Sequence, residues 1–308
     1  MAIPRRQIGR WIFNSNSWTY CPGSRGRPLQ QVGRRITGQM TMGNDDSNFD
    51  LVLSYPQWQG SGRSENLIRG ADAAAQVCGQ YGPLASVPLA GVGEEREGIN
   101  RFTAILEQFR SAQEILNDRQ PRRVLTAGGD CACDIAVIDY LHNRYPDLTV
   151  IWVDAHLDAN SASTSPSGNF HGMPVATIMG SAPADLQALL GTPLLPSQFK
   201  YVSAHVGDEG EWAFQRLKGL SWLESNQTVS GPIHIHFDLD ALDPVEFPHI
   251  AYPDGKLSMK AGLAVVAKAA ASGWLVGLTI TEFAPDDQTG AEEGSAFLHR
   301  LCEAAGAH

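Results

Sequence analysis

One stretch of the chain decides the fold class: Leu148-Thr149-Val150-Ile151-Trp152-Val153-Asp154-Ala155-His156-Leu157-Asp158. Its first six residues are rich in β-branched side chains and too few for a helix, so they predict a buried parallel strand. In open α/β sheets, ligands bind beyond the carboxyl ends of such strands. We therefore expect an α/β fold in which the polar residues of this stretch face a site at the edge of the sheet.

The polar residues of this stretch recur with the two-residue period of an extended chain. That period places Asp154, His156 and Asp158 on one side of the strand end. Two carboxylates and an imidazole in so small a volume leave charge unpaired unless a cation lies between them. The spacing predicts a metal site, with a capped strand end and solvated acids as the alternative for this motif taken alone.

A second acidic strand end follows about 80 residues downstream, as repeated βα units would place it. It reads His234-Ile235-His236-Phe237-Asp238-Leu239-Asp240-Ala241-Leu242-Asp243-Pro244. Together the two strand ends supply more carboxylate than one ion needs, which predicts two metal ions sharing bridging Asp residues. We expect Asp154 and Asp238 to lie within about 6 Å of each other, the reach of two ligands on one ion. The two histidines of this stretch alternate with apolar residues and are interpreted as paired core histidines.

Length and composition favour one large domain. The chain has 308 residues and 43% hydrophobic content, enough to bury a sizeable core. We predict an α/β domain over residues 47–308 and a basic extension over residues 1–46. No apolar run reaches the roughly 18 residues that cross a bilayer, and the start shows no apolar signal core. These features predict a cytoplasmic protein that does not associate with membranes.

Charge is unevenly distributed along the chain, whose formal net charge is -10. Residues 1–46 contain seven Arg and two Asp, so the remainder is strongly acidic. An acidic body argues against nucleic acid as a partner. The basic segment is either a targeting or docking arm or a surface extension of little consequence. Five cysteines at irregular spacing favour free thiols in a reducing compartment over a disulfide framework.

The other predicted elements repeat the strand-then-helix pattern. Further strands are predicted over residues 48–55, 123–127, 200–204 and 274–281, and helices over residues 67–78, 101–119, 131–145 and 290–304. Two glycines in the turn Gly128-Gly129-Asp130-Cys131 would let the backbone pass close to a neighbour. The Gly-rich turn over residues 56–62 lacks phosphate-binding spacing and is interpreted as a connection beside the pocket.

Four motifs, taken in order, carry a family resemblance. They are G-G-D-C at residues 128–131, D-A-H-x-D at 154–158, S-G-N-x-H-G at 167–172 and D-x-D-x-x-D-P at 238–244. This set resembles the ureohydrolase superfamily of arginases, agmatinases and formiminoglutamases over roughly residues 49–304. The resemblance implies a single three-layer α/β/α domain with a mainly parallel central sheet. By analogy with that family, we also expect a homo-oligomer, either a trimer or a hexamer.

The resemblance also assigns roles to the acidic strand ends. It implies two Mn²⁺ ions, both bound by Asp154 and Asp238. His156 and Asp240 would complete the ligands of one ion, and Cys131 and Asp158 those of the other. It makes His171 the pocket histidine that shuttles protons and Glu282 the carboxylate that faces a guanidinium group. A metal-bridging hydroxide would then attack the guanidinium carbon, and Asp158 would pass a proton to the leaving amine.

The polar loop before His171 resembles the arginase version of the family. The resemblance predicts contacts to the α-carboxylate and α-amino groups of an amino-acid substrate from six residues: Asn160, Ser165, Ser167, Asn169, Asp208 and Glu211. An amine such as agmatine would need none of the carboxylate contacts. We therefore expect a small guanidino amino acid, arginine or an Nω-substituted arginine, cleaved to a urea and ornithine.

Cys131 departs from the family, which usually has His at this position. A thiolate is softer than an imidazole and favours Zn or Fe over Mn. We expect the pKa of Cys131 to be lowered, because it begins a helix and would lie beside cations. Cys131 and the turn Tyr252-Pro253-Asp254-Gly255 resemble a smaller ureohydrolase branch that includes enzymes acting on an Nω-hydroxylated arginine.

Three alternatives remain open from the sequence. The protein could be an agmatinase or formiminoglutamase type of ureohydrolase. It could also be a metal-poor, non-catalytic relative in which Cys131 has replaced a ligand. A nucleotide-binding α/β protein is disfavoured, because the glycine turns lack phosphate spacing.

Overall fold

A computed structural model describes residues 10–14, 17–21, 48–224, 227–272 and 274–307, without side-chain detail for the first two segments and for residues 64–65. The chain divides into units of residues 1–43 and 44–308. In the first unit, β1 (Arg10–Asn14) and β2 (Ser17–Cys21) pair antiparallel, with Asn14 opposite Ser17. The sequence analysis did not predict this hairpin. The rest of the segment interpreted as a basic extension lies outside the described residues.

The second unit contains an eight-stranded sheet in which every pair of neighbours is parallel. Its strands are β3 (Leu51–Tyr55), β4 (Leu84–Ser86), β5 (Val124–Gly128), β6 (Thr149–Val153), β7 (Phe199–Val202), β8 (Ser221–Trp222), β9 (Ile233–Asp238) and β10 (Leu275–Thr281). Their order across the sheet is β4-β3-β5-β10-β9-β6-β7-β8. The central strands β5, β10 and β9 are buried along their whole length because helices cover both of their faces.

Helices form a layer on each side of this sheet. They are α1 (Ser64–Cys78), α2 (Phe102–Arg119), α3 (Asp134–Arg144), α4 (Pro174–Ala176), α5 (Ala184–Gln187), α6 (Glu209–Lys218), α7 (Met259–Ala271) and α8 (Gln288–Ala304). Alternate residues of β6 belong to two separate cores. Val150 and Trp152 pack with α2 and α3, whereas Ile151 and Val153 pack with α1, α7 and α8. The predicted three-layer α/β/α fold is confirmed, with a sheet that is entirely parallel.

The strand order explains where the polar motifs meet. β5, β10, β9 and β6 are consecutive neighbours in the sheet, and parallel pairing brings their carboxyl ends to one edge. Cys131, Glu282, Asp238 and Asp154 lie at or just beyond these four ends. Among the described residues, no helix combines the length and apolar character that a membrane span requires.

Gly70 of α1 is packed directly against the segment that follows β10. A Cβ at this position would overlap the carbonyl oxygen of Phe283, which is backbone and has little room to move. We expect Gly70→Ala to lower the free energy of unfolding by at least about 2 kcal/mol, the usual cost of overpacking a core. Urea unfolding measures this loss. Gly91→Ala is the matched control, since a Cβ there would meet nothing within 4 Å, and equal midpoints for the two variants would contradict the packing described here.

Candidate metal centre

The four neighbouring strand ends bring a thiol and several carboxylates into one buried cluster. The Cys131 Sγ donates to Asp238 Oδ2 at 2.7 Å and lies 3.8 Å from Glu282 Oε1. The Asp154 and Asp238 carboxylates, which come from adjacent strands β6 and β9, offer ligand atoms within 4.8 Å of each other. The separation therefore falls inside the 6 Å expected from the sequence.

Two overlapping groups of possible ligands occur in this cluster. One comprises Cys131, Asp154, His236 and Asp238, and the other comprises Asp154, His156 and Asp240. Within each group all ligand atoms lie within 4.8 Å of one another. Among the described residues, Asp154 alone belongs to both groups. This is the arrangement expected of a carboxylate shared by two ions.

Asp154 is held in place by its neighbours. Its Oδ2 accepts from Trp152 Nε1 at 2.9 Å, and its Oδ1 accepts from the His156 backbone N–H at 2.7 Å. The His156 Nδ1 lies 3.3 Å from Asp154 and 3.4 Å from Asp240. Burial opposes the charged imidazole, but these two carboxylates raise the pKa of His156 well above its ordinary value. The carboxylates of this site therefore strongly stabilise a positive charge placed between them.

Several buried carboxylate oxygens of the cluster have no hydrogen-bond partner within the described residues. They are Asp158 Oδ2, Asp240 Oδ1 and Glu282 Oε2. Burial, followed by the charge of Asp154 or Asp238, raises the pKa of all three carboxyl groups. Burial and Asp154 also raise the pKa of Asp238 to about 6. Buried carboxylate oxygens without hydrogen bonds are costly, so this set of oxygen, nitrogen and sulfur donors fits divalent cations.

Asp158 does not reach its position by the extended alternation that the sequence predicts. The strand β6 ends at Val153, and Asp158 adopts a left-handed backbone conformation with φ of 48°. Its side chain is buried and lines the same cleft, yet neither ligand group of the described chain contains it. The pairing of Asp158 with Cys131 as metal ligands stays a prediction. His236, interpreted from the sequence as a paired core histidine, is buried and pairs with Asp134, and it also belongs to one of the ligand groups.

The turn before Cys131 is fixed by Asp130. Its carboxylate accepts from Gln57 Nε2 at 2.9 Å, from the Gly60 backbone N–H at 2.8 Å and from the Ala132 backbone N–H at 3.0 Å. A Cβ at Gly129 would overlap the carbonyl oxygen of Gln57. The two glycines thus allow the close backbone approach that the sequence predicts, and the turn holds Cys131 over the end of β10.

The pKa of Cys131 depends on the charges around the thiol. Burial raises it well above its ordinary value, and the charge of Asp238 raises it further. The residue begins a 3₁₀ turn, Cys131–Cys133, that leads directly into α3, as the predicted helix over residues 131–145 requires. The expectation of a lowered pKa depended on neighbouring cations, and it stays a prediction for the metal-bound protein.

A cleft of about 210 Å³ opens above the cluster. All six predicted substrate contacts line it, namely Asn160, Ser165, Ser167, Asn169, Asp208 and Glu211. Cys131, Asp158 and His171 line it as well. The structure therefore brings the polar loop and the acidic cluster to one cavity, although they come from different parts of the chain.

Some of these cleft residues also hold the loop together. Asn160 Nδ2 donates to Asp208 Oδ2 at 2.9 Å. Asp208 and Glu211 form a capping box at the start of α6, and Glu211 also accepts from the Ala159 backbone N–H at 3.2 Å. Asn100 Nδ2 donates to Asn169 Oδ1 at 2.9 Å. The loop is thus anchored at both ends.

His171 lies between Glu282 and an aromatic ring. Its Nδ1 is 3.9 Å from Glu282 Oε1, and its ring stacks on Tyr252 with centroids 5.1 Å apart. Burial and the nearby His156 lower the pKa of His171 to about 4. Glu282 adopts a left-handed conformation with φ of 57°, a strained geometry often found at functional sites.

The sequence analysis did not identify Arg63 as a residue near the cleft. Its Cζ lies 4.5 Å from the centroid of the ring of Tyr252, which lines the cleft. The signal was its place just after the Gly-rich turn that was expected beside the pocket. The Tyr252 turn was noted from the sequence for its resemblance to a smaller ureohydrolase branch, and not for a contact with Arg63.

Comparison with known proteins agrees with this geometry. A family model described as the arginase family matches residues 94–305. The chain is 33% identical to the arginase of Eremothecium gossypii over 189 residues, which cover 54% of this chain and 47% of that protein. It is 32% identical to arginase-1 of Rattus norvegicus over 183 residues, which cover 51% and 57% respectively. The chain thus spans about half the length of these curated relatives.

Solved structures show the same fold. The arginase of Entamoeba histolytica in complex with L-ornithine matches 85% of this chain and 99% of its own, with TM-score 0.73 and 19% identity. The formimidoylglutamase of Bacillus subtilis matches 90% and 96%, with TM-score 0.63 and 15% identity. The fold and the ligand groups together define a ureohydrolase-type α/β protein with a candidate metal centre. The chain belongs to the arginase family.

Proposed function

We propose that this protein is a metal-dependent amidinohydrolase that cleaves the guanidino group of arginine, or of an Nω-substituted arginine, to a urea and ornithine. One observation carries the proposal. Asp154 belongs to both ligand groups, and these groups lie beneath a cleft lined by the polar loop. The geometry thus joins a two-ion donor set to a pocket for a small polar substrate.

The cations are proposed to be two Mn²⁺ ions, with another divalent metal favoured wherever Cys131 binds. Asp154 would contact both ions, and Asp238 is proposed as a second shared ligand. Cys131 and Asp158 would complete one ion, and His156 and Asp240 the other. Such cations would supply the Lewis acidity that activates water at neutral pH.

Glu282 is the proposed partner of the guanidinium group. It is buried beside Cys131 and Asp238, and a positively charged substrate would offset its unfavourable burial. Because the pKa of His171 is lowered, its imidazole is neutral at pH 7 and does not compete with the substrate for the charge of Glu282. Asp158 and His171 line the cleft, and we assign to Asp158 the transfer of a proton from the attacking water to the leaving amine and to His171 the shuttling of protons.

The polar loop is the proposed determinant of substrate class. Hydroxyl and amide groups of Ser165, Ser167 and Asn169 would bind an α-carboxylate, while Asp208 and Glu211 would favour an α-amino group. We further propose that the protein acts in the cytoplasm as a homo-oligomer, a trimer or hexamer by analogy with the family.

The test is a substrate panel after loading with Mn²⁺. It comprises arginine, Nω-hydroxyarginine, agmatine, guanidinobutyrate and formiminoglutamate. We expect urea or hydroxyurea release from the amino acids and little from the amines. Activity confined to the carboxylate-free amines would contradict the assignment of the loop. No activity together with near-zero metal per chain would favour a non-catalytic relative.

Two serines of the loop provide a matched pair of variants. Ser167 lines the cleft, whereas Ser163 bonds to Ser161 Oγ at 2.9 Å away from it. We expect Ser167→Ala to raise KM for the amino-acid substrate about tenfold or more, because a hydrogen bond to a charged group is lost. Ser163→Ala should leave KM unchanged. Equal KM values in steady-state kinetics would show that Ser167 does not bind substrate.

A further inference from the structure

His236 lies inside the metal centre although it comes from the middle of a buried strand. It is fully buried in β9, two residues before Asp238. Its ring stacks flat on Trp152, with centroids 3.5 Å apart and an interplanar angle of 6°. This packing fixes the plane of the ring, within which Nδ1 and Nε2 face different partners.

The Nδ1 side of the ring faces a carboxylate of α3. Asp134 Oδ2 lies 3.0 Å from His236 Nδ1 and 2.8 Å from His234 Nε2, and Asp134 Oδ1 accepts from Thr279 Oγ1 at 2.6 Å. An ionised carboxylate accepts hydrogen bonds and donates none. Asp134 therefore places the proton of His236 on Nδ1.

The opposite nitrogen, Nε2, then carries a free lone pair. It lies 3.3 Å from Thr281 Oγ1, which in turn lies 3.9 Å from the Cys131 Sγ, so Nε2 is on the Cys131 side of the ring. The four ligand atoms of the group that contains Cys131 and His236 lie within 4.8 Å of one another. Two ligands on opposite sides of one ion, with bonds of about 2.3 Å, are separated by about 4.6 Å. The geometry is thus close to that of a common ion.

We propose that His236 is a metal ligand through Nε2, and that Asp134 is the positioning residue that fixes its tautomer and orientation. The inference rests on the proposed two-ion centre and adds His236 to its ligands. A carboxylate hydrogen-bonded to the far nitrogen is the usual support of a metal-binding histidine. Through His236 the site that contains Cys131 has an imidazole ligand of its own.

The proposal makes the two sites chemically different. The first offers a thiolate, an imidazole and two carboxylates, whereas the group around His156 offers an imidazole and two carboxylates. Sulfur ligands favour softer ions, so the Cys131 site selects Zn²⁺, Co²⁺ or Fe²⁺ over Mn²⁺. The competing interpretation is a core histidine whose Nε2 accepts from the Thr281 hydroxyl and never binds a metal.

A pair of histidine variants separates the two interpretations. His234 and His236 both bind Asp134, but only His236 belongs to a ligand group of the described chain. Each is changed to Gln in the full chain and titrated with Co²⁺, and the thiolate-to-cobalt absorption and bound cobalt per chain are measured. We expect His236→Gln to weaken cobalt binding at the Cys131 site about tenfold or more. His234→Gln should keep two cobalt ions and the band. Identical titrations for the two variants would overturn the proposal.

A second measurement avoids changes to the buried core. His156 and His171 are partly exposed, so the double variant His156→Gln, His171→Gln removes the two imidazoles that line the cleft with little effect on packing. X-ray absorption of this variant loaded with Co²⁺ should show one sulfur and one imidazole bound to the metal. A cobalt–sulfur signal without imidazole scattering, or no bound cobalt, would contradict ligation by His236.

These readouts separate this proposal from the proposed function. If the wild type hydrolyses guanidino amino acids while His236→Gln and His234→Gln bind cobalt identically, the function stands and the ligand assignment fails. If the wild type hydrolyses none of them but the double variant shows sulfur and imidazole ligation, the ligand assignment stands and the function fails.

Discussion

Asp154→Asn is expected to abolish turnover and metal retention together. Asp154 supplies a ligand atom to both groups, so its neutralisation weakens both sites at once. We expect kcat/KM for the amino-acid substrate to fall at least about a thousandfold, which corresponds to about 4 kcal/mol of transition-state stabilisation. Metal analysis after dialysis should find less than one ion per chain.

The control for this variant comes from the second acidic motif. Asp243 accepts from the Val245 backbone N–H at 2.9 Å and belongs to neither ligand group of the described residues. Asp243→Asn should keep two ions and most of the activity. An Asp154→Asn protein that still binds two ions would show that the two groups do not share this carboxylate.

Asp134→Asn is expected to cause the largest loss of stability among changes near the site. Asp134 is fully buried and accepts hydrogen bonds from His234, His236 and Thr279. Asn has an NH₂ group in place of one carboxylate oxygen. At least one of the three donors would therefore face another donor and lose its hydrogen bond. We expect a loss of at least about 2 kcal/mol in the free energy of unfolding, measured by urea denaturation.

Asp147 provides the comparison, since it is exposed in the turn after α3. Asp147→Asn should change the free energy of unfolding by no more than about 0.5 kcal/mol. The two changes remove the same charge, so a difference between them reports the buried network. Equal stability of the two variants would mean that Asp134 does not organise the two histidines.

Much of the fold follows from local sequence. The run before Asp154 is apolar and rich in β-branched residues, which predicts a buried parallel strand, and the stretch before Asp238 is strand-like; both are buried strands in the structure. The approximate location of the site can also be predicted from the sequence, because the carboxyl ends of parallel strands lie at the same edge of the sheet. The sequence does not contain the strand order, which is set by packing of distant segments. That order is what brings Cys131 and Glu282 beside the two acidic motifs.

The finer features of the site depend on backbone and tautomer states that residue types do not reveal. Asp158 and Glu282 adopt left-handed conformations that disfavour non-glycine residues, so strand periodicity places Asp158 wrongly. His234 and His236 follow the same alternating pattern in β9, yet Asp134 directs only the Nε2 of His236 towards the cluster. Arg63 meets Tyr252 across nearly two hundred residues of sequence, a contact without a local signal.

The most direct test of the account is anomalous diffraction from crystals of the protein loaded with Mn²⁺ or Co²⁺. The account predicts two peaks, both within ligand distance of the Asp154 carboxylate, one beside Cys131 and His236 and the other beside His156 and Asp240. Peaks that lie away from Asp154, or no peak between Asp154 and Asp238, would contradict the shared-carboxylate centre on which the proposed chemistry depends.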